Sequence, residues 1–512
     1  MTPPTVLVIG AGIGGIAAAA RLARHGYQVT VVEKCEGPGG RCSALIKEGH
    51  HFVPGPTLFL MPELYAQTFA DLGERMEEHL DLRRVDPTYH IHFRDGTNLA
   101  LTSDLLAMKD QLEAIEPGSF GRYLSYLDRG YDHYRLSLTH LVGRNFRSAA
   151  EFFTLKNLRL LFRIKALVKH HDHIGDYFVD PRLKAAFTFQ DMYVGLSPYE
   201  APALFSLLQY SELANGVWFP MGGMDRIIKA LVGIAQKWGV HFLYNTPVEQ
   251  IDVGGRLANG VTLANGRRLQ AEILVANADL PYVYRHLLPD DRMADRLVDK
   301  RYSCSALIFC WGIDKHYPQL LPHHLFFAAD YRKNYQQVTE QLAVSDDPSF
   351  YLHAPVQLDP SLAPEGQDSL TVVVPVGHLN ETAPQDWPKL QRRTRRVVLE
   401  RLAEFGLADL DEHIKFELCY TPLDWLTRFN LVKGASHGLS HNLLQMGYFR
   451  PHNRHARYRN LYFVGASTHP GTGLPTVLVS ARLTTERILQ DTRAAQPVST
   501  PRPMAALGHR SR

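Results

Sequence analysis

The first forty residues constrain this chain more than any other stretch. The apolar run Thr5-Val6-Leu7-Val8-Ile9 passes directly into Gly10-Ala11-Gly12-Ile13-Gly14-Gly15. An unbroken apolar run of that length reads as a buried parallel strand, and the glycines as a tight turn. Helix formers follow in Ile16-Ala17-Ala18-Ala19-Ala20-Arg21-Leu22, then a second strand, Gln28-Val29-Thr30-Val31-Val32, ending on Glu33. The spacing predicts a βαβ unit that holds a dinucleotide. Gly10 permits the turn and Gly12 lets the backbone approach a pyrophosphate. Gly15 lets helix and strand pack closely, and the helix N-terminus offers free N–H groups. Glu33, 21 residues beyond Gly12, places a carboxylate for ribose hydroxyls and disfavours a ligand with a 2′-phosphate.

A second glycine element, Gly37-Pro38-Gly39-Gly40-Arg41, follows the acid closely. Adjacent glycines before an arginine suit a backbone passing near a ligand, with a cation aimed at phosphate or at an anionic ring. NAD dehydrogenases do not usually carry this element directly after the acid, whereas FAD proteins often do. The cofactor reading is therefore FAD. Near the far end, Asn460-Leu461-Tyr462-Phe463-Val464-Gly465-Ala466 reads as a buried strand. The loop Ser467 to Thr476 and a helix from Val477 to Gln490 follow it. That makes a second place for negative charge, so both ends of the chain serve one cofactor.

The 512 residues suffice for two domains or more. The net charge of +3 gives no pointer to nucleic acid. Five cysteines without CxxC spacing read as free thiols in a reducing compartment. The first strand begins too early for a signal peptide, and no apolar run spans a bilayer. The expectation is a cytoplasmic protein that does not cross the membrane.

The middle of the chain has a different character. Residues 86–215 are helical in pattern and rich in aromatics. Residues 155–169 within them read as one basic helix with a broad apolar face. The residues alone leave two readings open: a core-facing helix with a solvated basic side, or a helix lying in a lipid interface. His170-His171-Asp172-His173 reads as a solvated turn rather than a metal site. Residues 216–285 return to alternating strand and helix, with hairpin signals at Asn259-Gly260 and Asn265-Gly266. Residues 286–435 form another mixed block, and 491–512 read as a disordered basic tail.

Taken together, these stretches resemble the bacterial and fungal type of phytoene desaturase, a branch of the flavin amine-oxidase-like superfamily. The resemblance runs through the N-terminal glycine turn, Gly39-Gly40-Arg41, Gly216-Val217-Trp218-Phe219-Pro220-Met221-Gly222-Gly223 and Ala276-Asn277-Ala278-Asp279. It continues in Tyr351-Leu352-His353-Ala354-Pro355, Tyr448-Phe449-Arg450-Pro451-His452-Asn453 and the ending Asn460 to Gly473. It implies an α/β chain with a discontinuous Rossmann-like FAD-binding domain (1–85, 216–285 and 436–490). A mixed α+β substrate domain (86–215 and 286–435) is inserted into it. The implied cofactor-binding residues are Gly10, Gly12, Gly14, Gly15, Glu33, Lys34, Gly40, Arg41, Thr57, Val248, Gly465, Thr468 and Gly473.

The resemblance also implies stepwise dehydrogenation of a long isoprenoid hydrocarbon, peripheral attachment to a lipid surface, and oxygen or a quinone as electron acceptor. Arg332, in a Tyr-Arg pair similar to a family element, is the candidate catalytic residue. His469 is expected to shape the cofactor loop rather than act as a base. One departure stands out: Val53 occupies a position where the family usually has an acid, which touches substrate choice and the number of steps. Alternatives within the fold are a carotenoid oxidase or ketolase, a C30 desaturase, and a non-enzymatic escort of prenylated proteins. The Gly39-Gly40-Arg41 element and the C-terminal loop disfavour an NAD-linked dehydrogenase.

Overall fold

The computed structural model describes residues 3–289 and 291–495. Strand Thr5–Ile9 lies at the centre of a five-stranded sheet in the order Leu461–Phe463, Ile273–Ala276, Thr5–Ile9, Gln28–Val32, His241–Leu243. All of its pairings are parallel. Period-two alternation sends Val6 and Val8 to one face and Leu7 and Ile9 to the other. The first face packs beneath helices Ile13–Arg24, Arg226–Lys237 and Leu474–Ala495. The second packs against the antiparallel strands Val248–Gly254 and Leu257–Leu263 and the segment that begins at Leu280. Burial on both faces explains why residues 6–9 and strand Ile273–Ala276 are continuously apolar.

A second sheet has seven strands, in the order Ile414–Tyr420, Ser305–Ile313, Asp368–Val376, Phe350–His353, His323–Phe326, Tyr89–His92, Asn98–Leu101. Its pairings are antiparallel except for His323–Phe326 against Tyr89–His92. Strands from sequence blocks separated by more than two hundred residues thus share one sheet. The strands Leu82–Val85 and Val217–Pro220 pair antiparallel and clasp the two ends of the intervening segment.

Four local expectations need correction. Asn259-Gly260 lies inside strand Leu257–Leu263, not in a turn. A Cβ on Gly260 would sit 2.1 Å from the Leu269 carbonyl oxygen, so close strand approach selects this glycine. The turn falls at Gly255, where φ is +60°. The basic helix covers only Leu155–Arg163. The chain then turns, with Lys165 at φ +49°, and the Lys165 ammonium folds back onto Asp176 Oδ2 at 3.0 Å.

His170-His171-Asp172-His173 is not a solvated turn. His170 and His173 are buried, and His170 Nδ1 meets Asp191 Oδ2 at 2.8 Å. The last helix runs to Ala495, so residues 491–495 continue it, and the rest of the expected tail lies outside the described residues. No described helix is long and apolar enough to cross a membrane.

Candidate functional site

Two cavities meet between the two large sheets. The first, about 410 Å³, begins at the glycine turn and is lined by Gly10, Gly12, Gly14, Glu33, Lys34, Gly40, Arg41, Val248, Gly465 and Gly473. These residues come from three distant parts of the chain, and the parallel sheet brings them together.

The turn is built as a cradle. Gly10 has φ +98°, and a Cβ there would lie 2.8 Å from the Asn277 carbonyl oxygen. The Asn277 side chain reaches under the turn, its Nδ2 donating to Gly10 O at 3.2 Å. A Cβ on Gly12 or Gly14 would collide with that same amide group. Gly15 lines neither cavity. Its Cβ would fall 2.2 Å from Gly10 O, so its smallness serves helix–strand packing. Helix Ile13–Arg24 starts at Gly12 with no side-chain cap and no acid in its first turn. Uncompensated N–H groups therefore face the cavity, as an anion requires.

The Glu33 carboxylate accepts from Ala11 N at 2.7 Å and from Cys35 N at 2.9 Å. Those bonds lock the acid to the far side of the glycine turn. Lys34 extends to Asn430 Oδ1 at 2.9 Å. Gly39 and Gly40 both take positive φ, and Gly39 N donates to Ala11 O at 2.8 Å, seating the Gly-Gly-Arg element against the turn. The Arg41 guanidinium is part-buried and donates to Ser436 O at 2.8 Å. Burial lowers its proton affinity, while the neighbouring Asp279 charge opposes that effect.

Arg450, which lines neither cavity, is buried and stitches loops together. It donates to the carbonyls of Thr468, Ser440, Gln445, Leu439 and Ala466. Burial pushes it down to about 9, and it stays a cation at neutral pH. Asp279 accepts from Ser467 Oγ and from Val432 N; burial raises its carboxyl above the usual range. Thr468 lies buried beneath the loop, with Oγ1 donating to Gly465 O at 3.1 Å, and it lines neither cavity. Its assignment as a direct contact is corrected: its hydroxyl shapes the loop that Gly465 and Gly473 present.

The second cavity, about 640 Å³, is walled mainly by carbon. Leu58, Phe189, Leu204, Phe205, Leu325 and Phe327 are among its walls. Thr57 belongs here rather than in the first cavity, its Oγ1 accepting from Tyr351 OH at 3.1 Å. The two cavities share Pro56, Tyr193, Ala306, Val373, His437 and Thr472, so they adjoin. His469 lines the apolar cavity, and Val53 packs at the edge of the core beside the parallel sheet.

Arg332 is in neither place. It is exposed on helix Tyr331–Thr339 and stacks over the Tyr199 ring at 5.1 Å. Its neighbour Tyr331 lines the apolar cavity instead. The catalytic assignment of Arg332 is therefore corrected, because the helix turns that side chain outward.

The outer end of the apolar cavity is open. Phe153, Leu167, Leu444 and Phe449 line it and are also exposed at the surface. Beside them helix Leu155–Arg163 turns Leu158 and Phe162 outward, 50% and 64% exposed, among Lys156, Arg159 and Arg163.

The first cavity fits a dinucleotide cofactor on its own geometry. It combines a cradle that any Cβ would fill, an uncapped helix N-terminus, an anchored carboxylate and a part-buried arginine. Asn277, Asp279, His437 and Arg450 were not assigned from the sequence. Asn277 and Asp279 end a predicted strand, which is a usable signal. Arg450 bonds only to main-chain oxygens, which leave no mark on residue types.

Comparison with known proteins agrees with this geometry. The family described as flavin containing amine oxidoreductase matches residues 13–489. The chain is 45% identical over 503 residues to the zeta-carotene-forming phytoene desaturase of Myxococcus xanthus, covering 98% of this chain and 97% of that one. It is 43% identical over 511 residues to the phytoene desaturase of Neurospora crassa, covering 96% and 85%. Among solved structures, a putrescine oxidase bound to putrescine superposes with a TM-score of 0.63 at 14% identity, covering 95% and 99%.

Proposed function

The chain belongs to the flavin containing amine oxidoreductase family, and from that premise we propose that it is an FAD-dependent desaturase of phytoene. It removes hydrogens stepwise from this long isoprenoid hydrocarbon and extends its conjugation toward lycopene in carotenoid biosynthesis. The observation that carries the reading is the junction of a dinucleotide cradle with a carbon-walled cavity. The names of the full-length relatives supply the substrate class.

When bound, FAD supplies a two-electron hydride acceptor, which no side chain offers. The chain's own residues do the rest. Gly10, Gly12 and Gly14 and the uncapped helix N-terminus would hold the pyrophosphate, and Glu33 would take ribose hydroxyls. Arg41, which lines the cofactor cavity, would supply a cation that favours negative charge on the bound group. A hydrocarbon has no polar handle, so recognition rests on burial, about 0.8 kcal/mol per CH₂. The apolar walls also exclude water from the reacting carbons.

In this reading the segments 1–85, 216–285 and 436–490 form the cofactor domain, and 86–215 with 286–435 the substrate domain. Sheet membership supports that division. The exposed apolar surface at the cavity mouth, flanked by Lys156, Arg159 and Arg163, supports peripheral attachment to an anionic lipid surface from which the hydrocarbon enters. The terminal electron acceptor is oxygen or a quinone.

Expression in cells that accumulate phytoene tests the reading. Loss of phytoene with appearance of coloured polyenes is expected. Phytoene left unchanged beside a flavin-loaded protein contradicts it, and colour only in cells making C30 precursors moves the substrate to the shorter chain.

A further inference from the structure

We propose that Tyr193, backed by Glu212, accepts the proton that leaves the substrate as the neighbouring carbon loses its hydride. The proposal rests on the desaturase reading and adds the group that completes it. Desaturation removes two hydrogens, and only one leaves as hydride. The other must go to a base in a cavity walled almost entirely by carbon.

Three polar side chains line both cavities: Tyr193, His437 and Thr472. His437 is a poor proton holder, pushed down to about 4 by burial and by the charge of Arg41. Among the described residues the Thr472 hydroxyl bonds to no acid or base; its main-chain N–H donates to His441 Nε2 at 3.0 Å. Tyr193 differs. Its hydroxyl donates to Glu212 Oε2 at 3.0 Å and is hydrogen-bonded to the Tyr89 hydroxyl, which faces the apolar cavity.

Glu212 is 1% exposed. Its other oxygen accepts from Gln190 Nε2 at 3.4 Å, and Gln190 Oε1 in turn accepts from Gln209 Nε2 at 2.8 Å. No described cation forms an ion pair with it. The titratable groups that face it are the phenols Tyr89, Tyr123, Tyr126 and Tyr193. Burial without a cation pushes its carboxyl up to about 8, near the range a general base needs. A buried acid is costly to keep.

The C–H bond beside the hydride-donating carbon breaks, and its electron pair becomes the π bond of the new C=C. The hydride and its pair go to the oxidised flavin. The proton goes to the Tyr193 oxygen, and the Tyr193 hydrogen passes along its hydrogen bond to ionised Glu212. Tyr193 is thus the catalytic residue, and Glu212 acts through it.

Tyr193→Phe, Glu212→Gln and His437→Gln, each loaded with FAD, test the assignment with phytoene in vesicles. The wild-type single-turnover rate should rise with pH and level off above about 8. Tyr193→Phe should lower it about 100-fold with KM unchanged, and Glu212→Gln should lower it and flatten the profile. A readout free of turnover is infrared titration of the substrate-free protein. A protonated-carboxyl band should disappear near pH 8 in the wild type and be missing in Glu212→Gln.

Tyr193→Phe at full rate, or a loss confined to His437→Gln, overturns the assignment and leaves the desaturase reading standing. A wild type whose flavin phytoene cannot reduce overturns both.

Discussion

The Arg41 guanidinium donates to the Ser436 carbonyl oxygen at 2.8 Å, joining residues 395 positions apart. The bond runs from the Gly-Gly-Arg element beside the glycine turn to the segment that carries His437. It ties together two stretches that line the cofactor cavity and fixes a cation there.

Arg41→Met should therefore weaken flavin retention at least tenfold while leaving a folded protein, and Arg41→Lys should recover part of it. The ratio of flavin to protein absorbance after dialysis reads this directly. Full retention in Arg41→Met would remove the cation from the account.

Two glycines in helices should respond in opposite ways to alanine. A Cβ on Gly15 meets the Gly10 oxygen at 2.2 Å, whereas one on Gly233, in helix Arg226–Lys237, meets nothing within 4 Å. Gly233→Ala should stabilise the protein by up to about 1 kcal/mol through helix propensity. Gly15→Ala should lower the melting temperature and release flavin. Equal effects at the two sites would mean that the turn does not hold the packing described.

Stability should carry the signature of Glu212. Below its ordinary value of 4.5 the carboxyl is protonated in both folded and unfolded chains. As pH rises, the unfolded chain releases the proton while the folded one keeps it to about 8. The native state thus loses stability across that window, by at most about 1.4 kcal/mol per pH unit. Glu212→Gln should gain on the wild type from pH 4.5 to 8 and stay parallel above it. Denaturant melts across this range give the difference, and curves parallel throughout would show an unshifted carboxyl.

Lipid attachment should depend on carbon as much as on charge. Leu158 and Phe162 are exposed beside the cavity mouth, so the double variant Leu158→Glu with Phe162→Glu should stay in the unbound fraction in flotation with anionic liposomes. Charge reversal at Lys156 and Arg159 should weaken binding mainly at low salt. Lys165, paired with Asp176, should matter little. Unchanged flotation of the double variant would take this surface out of the account.

The cofactor half of the site was legible because its chemistry is written in local spacing. A strand, a turn with four glycines, a helix and an acid fall within thirty residues, and main-chain geometry allows few substitutes at Gly10 or Gly12. The apolar half was legible only as composition. Which aromatics line the cavity depends on pairings such as Tyr89–His92 with His323–Phe326, set by contacts far apart in sequence. Arg332 misled because a Tyr-Arg pair says nothing of the helix face that each residue takes; Tyr331 faces the cavity and Arg332 faces out. The Tyr193–Glu212 pair was invisible for the same reason, being joined by folding rather than by spacing.

The most direct test of the central claim is anaerobic reduction of the purified, flavin-loaded protein by phytoene in liposomes. One flavin should bleach for each double bond formed, with a more conjugated carotene recovered in equal amount, and oxygen or a quinone should restore the yellow colour. Flavin that stays oxidised beside unaltered phytoene, in protein that still floats with the liposomes, would contradict it.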